Sequence, residues 1–347
     1  MNQSVIYALG AALLFGASTP LAKLLTGDLP PVLLAGLLYL GSGLGLALVR
    51  LVRDGGLKSP GVPLNEWPWL LGAIVFGGVI GPVALMFGLR STSGATASLL
   101  LNLEAVLTAS IAWVVFKENA DRRIAGGMLA IVAGGVALGW QAGSSLQTSG
   151  TGPALVGLAC LCWALDNNLT RKVSASDALF IAGIKGLIAG SANTALAISM
   201  GAALPPLATL SATMAVGLLG YGISLVLFVL ALRGLGTART GAYFSTAPFL
   251  GVAVSLFVFP ETTSWVFWMA AALMGLGVWL HLTERHIHEH LHEALEHEHT
   301  HEHDEHHQHA HGAGPCGGGP HSHRHTHLPL RTCLRSFRGR VGVQSGD

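Results

Sequence analysis

Long stretches of this chain have no polar face. Val5–Leu25 and Leu210–Leu232 carry almost no polar side chain at either helical or strand spacing. A soluble fold would need such a face to meet water. In lipid the backbone must satisfy its own hydrogen bonds, so runs of this kind read as membrane-spanning helices. Only 11% of the 347 residues are charged, less than half the usual share of about 25%. Much of that charge lies after His281, so the region before it is more apolar than the average.

Charges, prolines and glycine-rich breaks divide the chain into apolar windows of roughly 19–23 residues. The windows predicted are 4–25, 31–53, 67–89, 94–116, 123–141, 152–172, 177–200, 210–232, 238–259 and 264–282. Met1–Ser4 has no basic segment and no small-residue cleavage site follows, so the first helix is expected to stay in the product. Cys160 and Cys162 fall in an apolar helix and Cys316 and Cys333 in the tail, which is no disulfide framework. On a helix Cys160 and Cys162 stand about 200° apart, so they are read as small buried residues and not as a metal pair.

Lys and Arg alternate from side to side. With the N-terminus in the cytoplasm, one set of loops holds Arg50, Arg53, Lys58, Lys117, Arg122, Arg123, Arg171, Lys172, Arg233 and Arg239. The opposite set holds only Lys23 and Arg90, near helix ends. By the positive-inside rule both termini are then cytoplasmic, and a bacterial inner membrane is the expected location. The chain also repeats itself. Arg90 recurs as Arg233, 143 positions on, and the same offset joins Ala95 to Ala238, Glu118 to Glu261 and Gly134 to Gly277. Five helices per half is an odd number, so the halves lie in opposite orientations, a common carrier architecture.

Two motif sets carry a family likeness. Phe15-Gly16-Ala17-Ser18-Thr19-Pro20-Leu21-Ala22-Lys23 has its counterpart in Trp163-Ala164-Leu165-Asp166-Asn167-Asn168-Leu169-Thr170-Arg171. Phe116-Lys117-Glu118, followed by Ala133-Gly134-Gly135-Val136, returns as Phe259-Pro260-Glu261 and Gly275-Leu276-Gly277-Val278. In these the chain resembles the EamA-type branch of the drug/metabolite transporter superfamily over roughly residues 4–282. The resemblance implies a ten-helix carrier that moves a small solute by alternating access. The expected fold class is all-α and integral to the membrane, with ten transmembrane helices as two inverted five-helix repeats (4–141 and 152–282) and a disordered, cytoplasmic, His-rich tail (283–347).

Ionisable and amide side chains inside such helices are costly and therefore candidates for solute binding or coupling. Asn102 and Glu104 lie in the fourth window. Glu104 reads either as a solute-facing or proton-carrying carboxylate, or as a buried carboxyl bonded to a neighbouring helix. Asp166, Asn167 and Asn168 lie late in the sixth window. There Asp166 either attracts a cation or reaches water or a basic residue one turn away. Lys185, in the seventh, either snorkels or pairs with Glu104 or an anionic solute. Tyr243, in the ninth, is a cavity-lining or packing residue. Gly41-Ser42-Gly43-Leu44-Gly45 and Gly126-Gly127 suit close helix packing. Pro20, Pro82 and Pro248 are expected to interrupt helical hydrogen bonding locally.

All 17 histidines stand at or after His281. His286, His288, His290, His292, His297, His299, His301, His303, His306, His307, His309 and His311, interleaved with Glu and Asp, form a dense set of ligands for Zn, Ni or Co. No cofactor is required by the helical body, so any divalent metal would sit on the tail. The composition instead admits a low-complexity tail or one that charges near pH 6–7. Arg331–Arg340 is basic and suits anionic headgroups. The expected partners are the lipid bilayer and a small-molecule or ion substrate; a homodimer is admitted and nucleic acid is not expected.

The leading reading is secondary transport of a small solute, since no nucleotide-binding Walker motif accompanies the helices. One alternative is a divalent metal transporter fed or regulated by the tail, although no His lies in the preceding helices. Another is a membrane metal buffer or sensor that transports nothing. An intramembrane enzyme is not expected, because the helices offer only sparse carboxylates.

Overall fold

The computed structural model describes residues 3–56, 62–116, 122–144, 151–173 and 176–283, and in the tail 290–291, 296–301, 321–326 and 331–332. Met1–Glu284 form one unit and Arg285–Asp347 another.

The first unit is helical. Its elements are α1 (Gln3–Leu25), α2 (Pro31–Asp54), α3 (Leu64–Ser91), α4 (Gly94–Leu100 and Asn102–Phe116), α5 (Arg122–Ser144), α6 (Thr151–Thr170), α7 (Ala178–Ser199), α8 (Leu207–Phe244), α9 (Ala247–Val258) and α10 (Trp265–Leu282). Among the described residues, seven helices are long and apolar enough to cross a membrane. They fall in α1, α2, α3, α4, α5, α7 and α8. The stretches in α9 and α10 are apolar but shorter, and α6 ends on the polar run Asp166, Asn167 and Asn168.

Two helices change their winding midway. Ile74–Ile80 within α3 and Leu218–Ile223 within α8 are π-helical. They lie about one repeat offset apart, so each half carries the same irregularity. Pro82 has no N–H for the Gly78 carbonyl four residues back, and the wider winding lies just before it. The sequence predicts a break between 232 and 238, but Ser224–Phe244 is one helix and the break falls at Ser245 and Thr246. No proline interrupts 232–244, whereas Pro248 cannot donate to the Phe244 carbonyl. Pro248 itself sits in the first turn of α9, where a missing N–H costs little.

The main packing pairs recur when the two halves are exchanged. α2 lies on α7, α4 on α9 and α5 on α10. α1 packs on α8 and α9, as α6 packs on α3 and α4; α2 meets α8, as α7 meets α3. Small residues permit these approaches. A Cβ on Gly186 of α7 would stand 2.6 Å from the Gly43 nitrogen of α2, and neither backbone can give way. The core is aliphatic, with Leu33, Leu34, Leu38, Leu85, Met86, Leu99 and Ile131 buried.

One end of the α2–α7 pair is tied by charge. Asp177 caps α7 by accepting from the Leu179 N–H at 3.0 Å. It also meets Arg50 Nε at 3.1 Å and Arg53 Nη2 at 2.6 Å. Partial burial acts to raise the Asp177 carboxyl, but the hydrogen bonds from Arg53, Arg50 and Leu179 outweigh it and hold it at about 2.

The second unit is not wholly irregular, contrary to the expectation of a disordered tail. His290–Leu291 pairs with Arg331–Thr332, and Glu296–His301 pairs antiparallel with His321–Thr326. The alternation of His with Glu, Thr, Ser and Arg has the period of a strand, which a helical or aperiodic reading passes over.

Gly186→Ala is expected to lower the thermal unfolding midpoint in detergent, at a cost of about 1–3 kcal/mol from overpacking. Gly126→Ala, where an added Cβ meets nothing within 4 Å, is expected to leave the midpoint unchanged or raise it.

Candidate functional site

The last turns of α6 bring three polar residues against three neighbouring helices. Buried Asn168 donates to the Ala164 carbonyl at 2.8 Å and to the Thr108 carbonyl of α4 at 3.3 Å. These bonds make it a strut between α6 and α4. Asn167, one position earlier, is exposed. Its amide donates to Glu104 Oε1 at 2.9 Å and to Thr108 Oγ1 at 3.4 Å. Asp166 points the other way and is 7% exposed. Lys185 of α7 donates to both of its carboxylate oxygens at 2.6 Å, and Thr170 Oγ1 donates to Oδ1 at 2.8 Å.

Half-buried Glu104 and exposed Asn167 therefore form a polar pair that is reached from the Asn167 side, with the Asp166–Lys185 ion pair behind it. Glu104 comes from the first half of the chain and Asn167 from the second. A carboxylate oxygen and an amide can reorganise around a solute that brings its own donors and acceptors. The ion pair gives the site charge without net charge, which lowers the cost of holding it in a low-dielectric setting.

The π segment of α3 supports this arrangement from beneath. Gly77 has no Cβ, and one would run into the Asp166 carboxylate. The Gly77 carbonyl accepts from Tyr39 Oη at 2.8 Å and from Trp163 Nε1 at 3.0 Å. Asn193 Nδ2 donates to the Gly78 and Val79 carbonyls at 3.3 and 3.4 Å. α2, α6 and α7 thus all bond to one irregular turn of α3. From Tyr39 an aromatic chain runs through Tyr221 (5.5 Å between ring centres) to Phe15 (6.1 Å), Phe244 (5.4 Å) and Phe228 (4.9 Å). Tyr221 belongs to the second π segment, so the chain joins the two irregular turns.

The residues singled out from sequence fall into separate places. Glu104, Asp166, Asn167 and Lys185 come together. Lys185 pairs with Asp166 and not with Glu104, because Asp166 projects toward α7 while Asn167 takes the Glu104 carboxylate. Asn102 follows the break at Leu101. It donates to the Leu99 carbonyl at 2.9 Å and lies 3.9 Å from Met274 Sδ, which makes it a junction residue between α4 and α10. The Tyr243 carbonyl accepts from Thr246 Oγ1 at 2.6 Å, and its neighbour Phe244 is the ring that enters the aromatic chain. Tyr39, Trp163, Tyr221 and Asn193 escape sequence reasoning. Their one legible signal is polarity inside an apolar window, and tyrosine and tryptophan share that signal with interface anchors.

Of the histidines proposed as ligands, His290, His297, His299 and His301 lie in the tail strands. His286, His288, His292, His303, His306, His307, His309 and His311 lie outside the described residues. Among the described residues no group of three or more His, Cys, Asp or Glu is assembled for a metal ion. An apolar cavity of about 170 Å³ lies at the charged end of α2 and α7, beside Arg50 and Phe180. Its arginine is held by Asp177, so the cavity is separate from the polar site.

Comparison with known proteins matches the chain twice to the EamA-like transporter family, over residues 2–140 and 150–283. An uncharacterized transporter of Methanothermobacter thermautotrophicus is 25% identical over 285 residues, which span 78% of this chain and 83% of that protein. The uncharacterized transporter YyaM of Bacillus subtilis is 25% identical over 267 residues, 73% of this chain and 85% of that one. A protein crystal structure superposes with a TM-score of 0.60 at 22% identity, covering 80% of this chain and 94% of that chain, which shows a shared fold.

Lys185→Met leaves Asp166 buried without its partner. The substitution is expected to cost about 3–5 kcal/mol, read as a lower unfolding midpoint in detergent. The double variant Asp166→Asn, Lys185→Met should recover most of that loss. A neutral Lys185→Met would show that the pair does not hold the helices together.

Proposed function

Since the chain belongs to the EamA-like transporter family, we propose that it is a secondary carrier that moves a small polar solute by alternating access. The single observation that carries this reading is the hydrogen bond between Glu104 and Asn167. It is a polar contact contributed by both halves, with Asn167 exposed, Thr108 beside it and the Asp166–Lys185 ion pair behind it. A site shared between repeats is where a rocking motion of one half against the other changes access most directly.

In this reading α1–α5 and α6–α10 make ten crossings as two inverted halves. The exchangeable packing pattern and the recurrence of the π segment support that arrangement. Arg50, Arg53 and Lys172 stand on the cytoplasmic face, as the lysine and arginine bias predicts. The solute is held by the Glu104 carboxylate and the Asn167 amide, with Lys185 and Asp166 setting the local field. The match in family is to transporters, and no catalytic reaction is proposed.

The tail supplies a second reading, in which it binds Zn, Ni or Co. The register of its longer strand pair sets His297 opposite His325, His299 opposite His323 and His301 opposite His321. The register thus sets six histidines in three directly opposed pairs, and imidazole suits these metals.

A panel of labelled solutes, first screened by thermal stabilisation of the purified protein, should yield one taken up by proteoliposomes. Glu104→Gln and Asn167→Ala are each expected to reduce that uptake roughly tenfold or more, as for loss of a hydrogen bond to a charged group. Uptake indifferent to both would remove the site from the mechanism.

For the tail, calorimetric titration of the full chain with zinc should show binding that weakens sharply when the six paired histidines are changed to asparagine. Unchanged binding would exclude the ribbon as the metal site. Absence of Zn, Ni and Co flux in vesicles would leave metal out as the transported species.

A further inference from the structure

Glu261 sits in the loop between α9 and α10, in the second half of the chain, yet its carboxylate is spent on the first half. Oε1 accepts from the Gly94 N–H at 2.8 Å and Oε2 from the Ala95 N–H at 3.2 Å. Ser255 Oγ of α9 adds a bond to Oε2 at 3.4 Å. These two N–H groups open α4, where a helix leaves its first donors without internal partners and its dipole favours a negative charge. Ser93 completes the end by accepting from Thr96 N at 3.1 Å. Lys23, at the end of α1, donates to the Leu89 carbonyl and lies within electrostatic reach of Glu261. Gly94 admits the approach, since a Cβ there would stand 2.5 Å from Ser255 Oγ and 3.6 Å from Glu261 Oε1.

The repeat makes this contact informative. The offset that joins Glu118 to Glu261 also joins Gly94 and Ala95 to Thr237 and Ala238. In this structure Thr237 and Ala238 lie inside the unbroken helix Ser224–Phe244, where backbone N–H groups are taken up by the helix itself. The start of α4 is therefore an open helix end capped from the other half, and its repeat partner is not a helix end at all. The two halves match in sequence offset and in their main packing pairs but differ here.

We propose that Glu261 is the latch of one gate: its carboxylate, seated on the first turn of α4, holds the two halves together at the face opposite Arg50 and must leave Gly94 and Ala95 before that face opens. The assignment rests on the alternating-access reading for its purpose, but not for its test. A capping carboxylate is suited to such a latch. It is a charge-assisted contact, stronger than a neutral hydrogen bond, and it can be exchanged for water once the halves part.

The test reads access to the site and needs no solute. A cysteine replaces Asn167 in the full chain with Cys160, Cys162, Cys316 and Cys333 changed to serine. A membrane-impermeant maleimide is then applied to oriented vesicles from each face. With Glu261 intact, labelling is expected from the face that carries Arg50 and to be slow from the opposite face. Glu261→Gln should speed labelling from the Glu261 face roughly tenfold, with an accompanying fall from the Arg50 face, in line with loss of a charge-assisted bond. Ser255→Ala, which removes only the weakest of the three contacts, should move both rates in the same sense by a smaller factor.

Faster labelling from both faces with a lowered unfolding midpoint would show that Glu261 merely stabilises the fold and would overturn the latch. Unchanged rates would overturn it as well. Failure of the transport reading would appear elsewhere, as uptake insensitive to Glu104 and Asn167, while the accessibility shift could still be present.

Discussion

A carbonyl exposed by irregular winding inside a membrane finds no water, so the protein must supply the donor. In α3 that demand is met by Tyr39 and Trp163 at Gly77 and by Asn193 at Gly78 and Val79. Each donor comes from another helix, so satisfying one turn brings α2, α6 and α7 to set positions around it. The missing Cβ of Gly77 then leaves the space that the Asp166 carboxylate fills. Asp166 in turn holds Lys185, which frees the adjacent Asn167 to face Glu104. The polar site follows from the backbone irregularity beneath it.

The helical body was largely legible in the sequence because bilayer insertion tolerates few alternatives. Apolar length and the 143-residue offset each report on a constraint that acts over whole segments. Features decided by one or two hydrogen bonds were not legible. The placement of the break at Ser245 and Thr246 depends on Pro248 and on the continuity of a weak glycine-containing stretch, and both fit either division. The π segments leave no compositional trace beyond Pro82 and nearby glycines.

The site was legible by type and less so by partnership. Scarce polar residues inside apolar windows pointed to Glu104, Asp166, Asn167 and Lys185, and the structure gathers all four. Sequence could not tell which carboxylate would meet Lys185, because neighbouring positions on α6 differ by about 100° in direction and the rotation of that helix is set by packing. Asn102 shows the opposite case: the same scarcity marked it, but it serves a helix junction. Tyr39 and Trp163 were hidden because their rings fit an apolar window while their single donors bond to backbone, which no pattern of side chains records.

α8 runs without interruption from Leu207 to Phe244. At about 1.5 Å per residue such a helix is roughly 55 Å long, against a hydrocarbon core of about 30 Å. It must therefore tilt strongly or carry part of its length outside the apolar layer. Its inner part packs on α1 and α2, and its far end leads through Phe244 to the break before α9. A helix of this length can act as a lever. A small rotation about its π turn at Leu218–Ile223 becomes a displacement of several ångströms at Phe244, which would reach α9 through a link of only two residues.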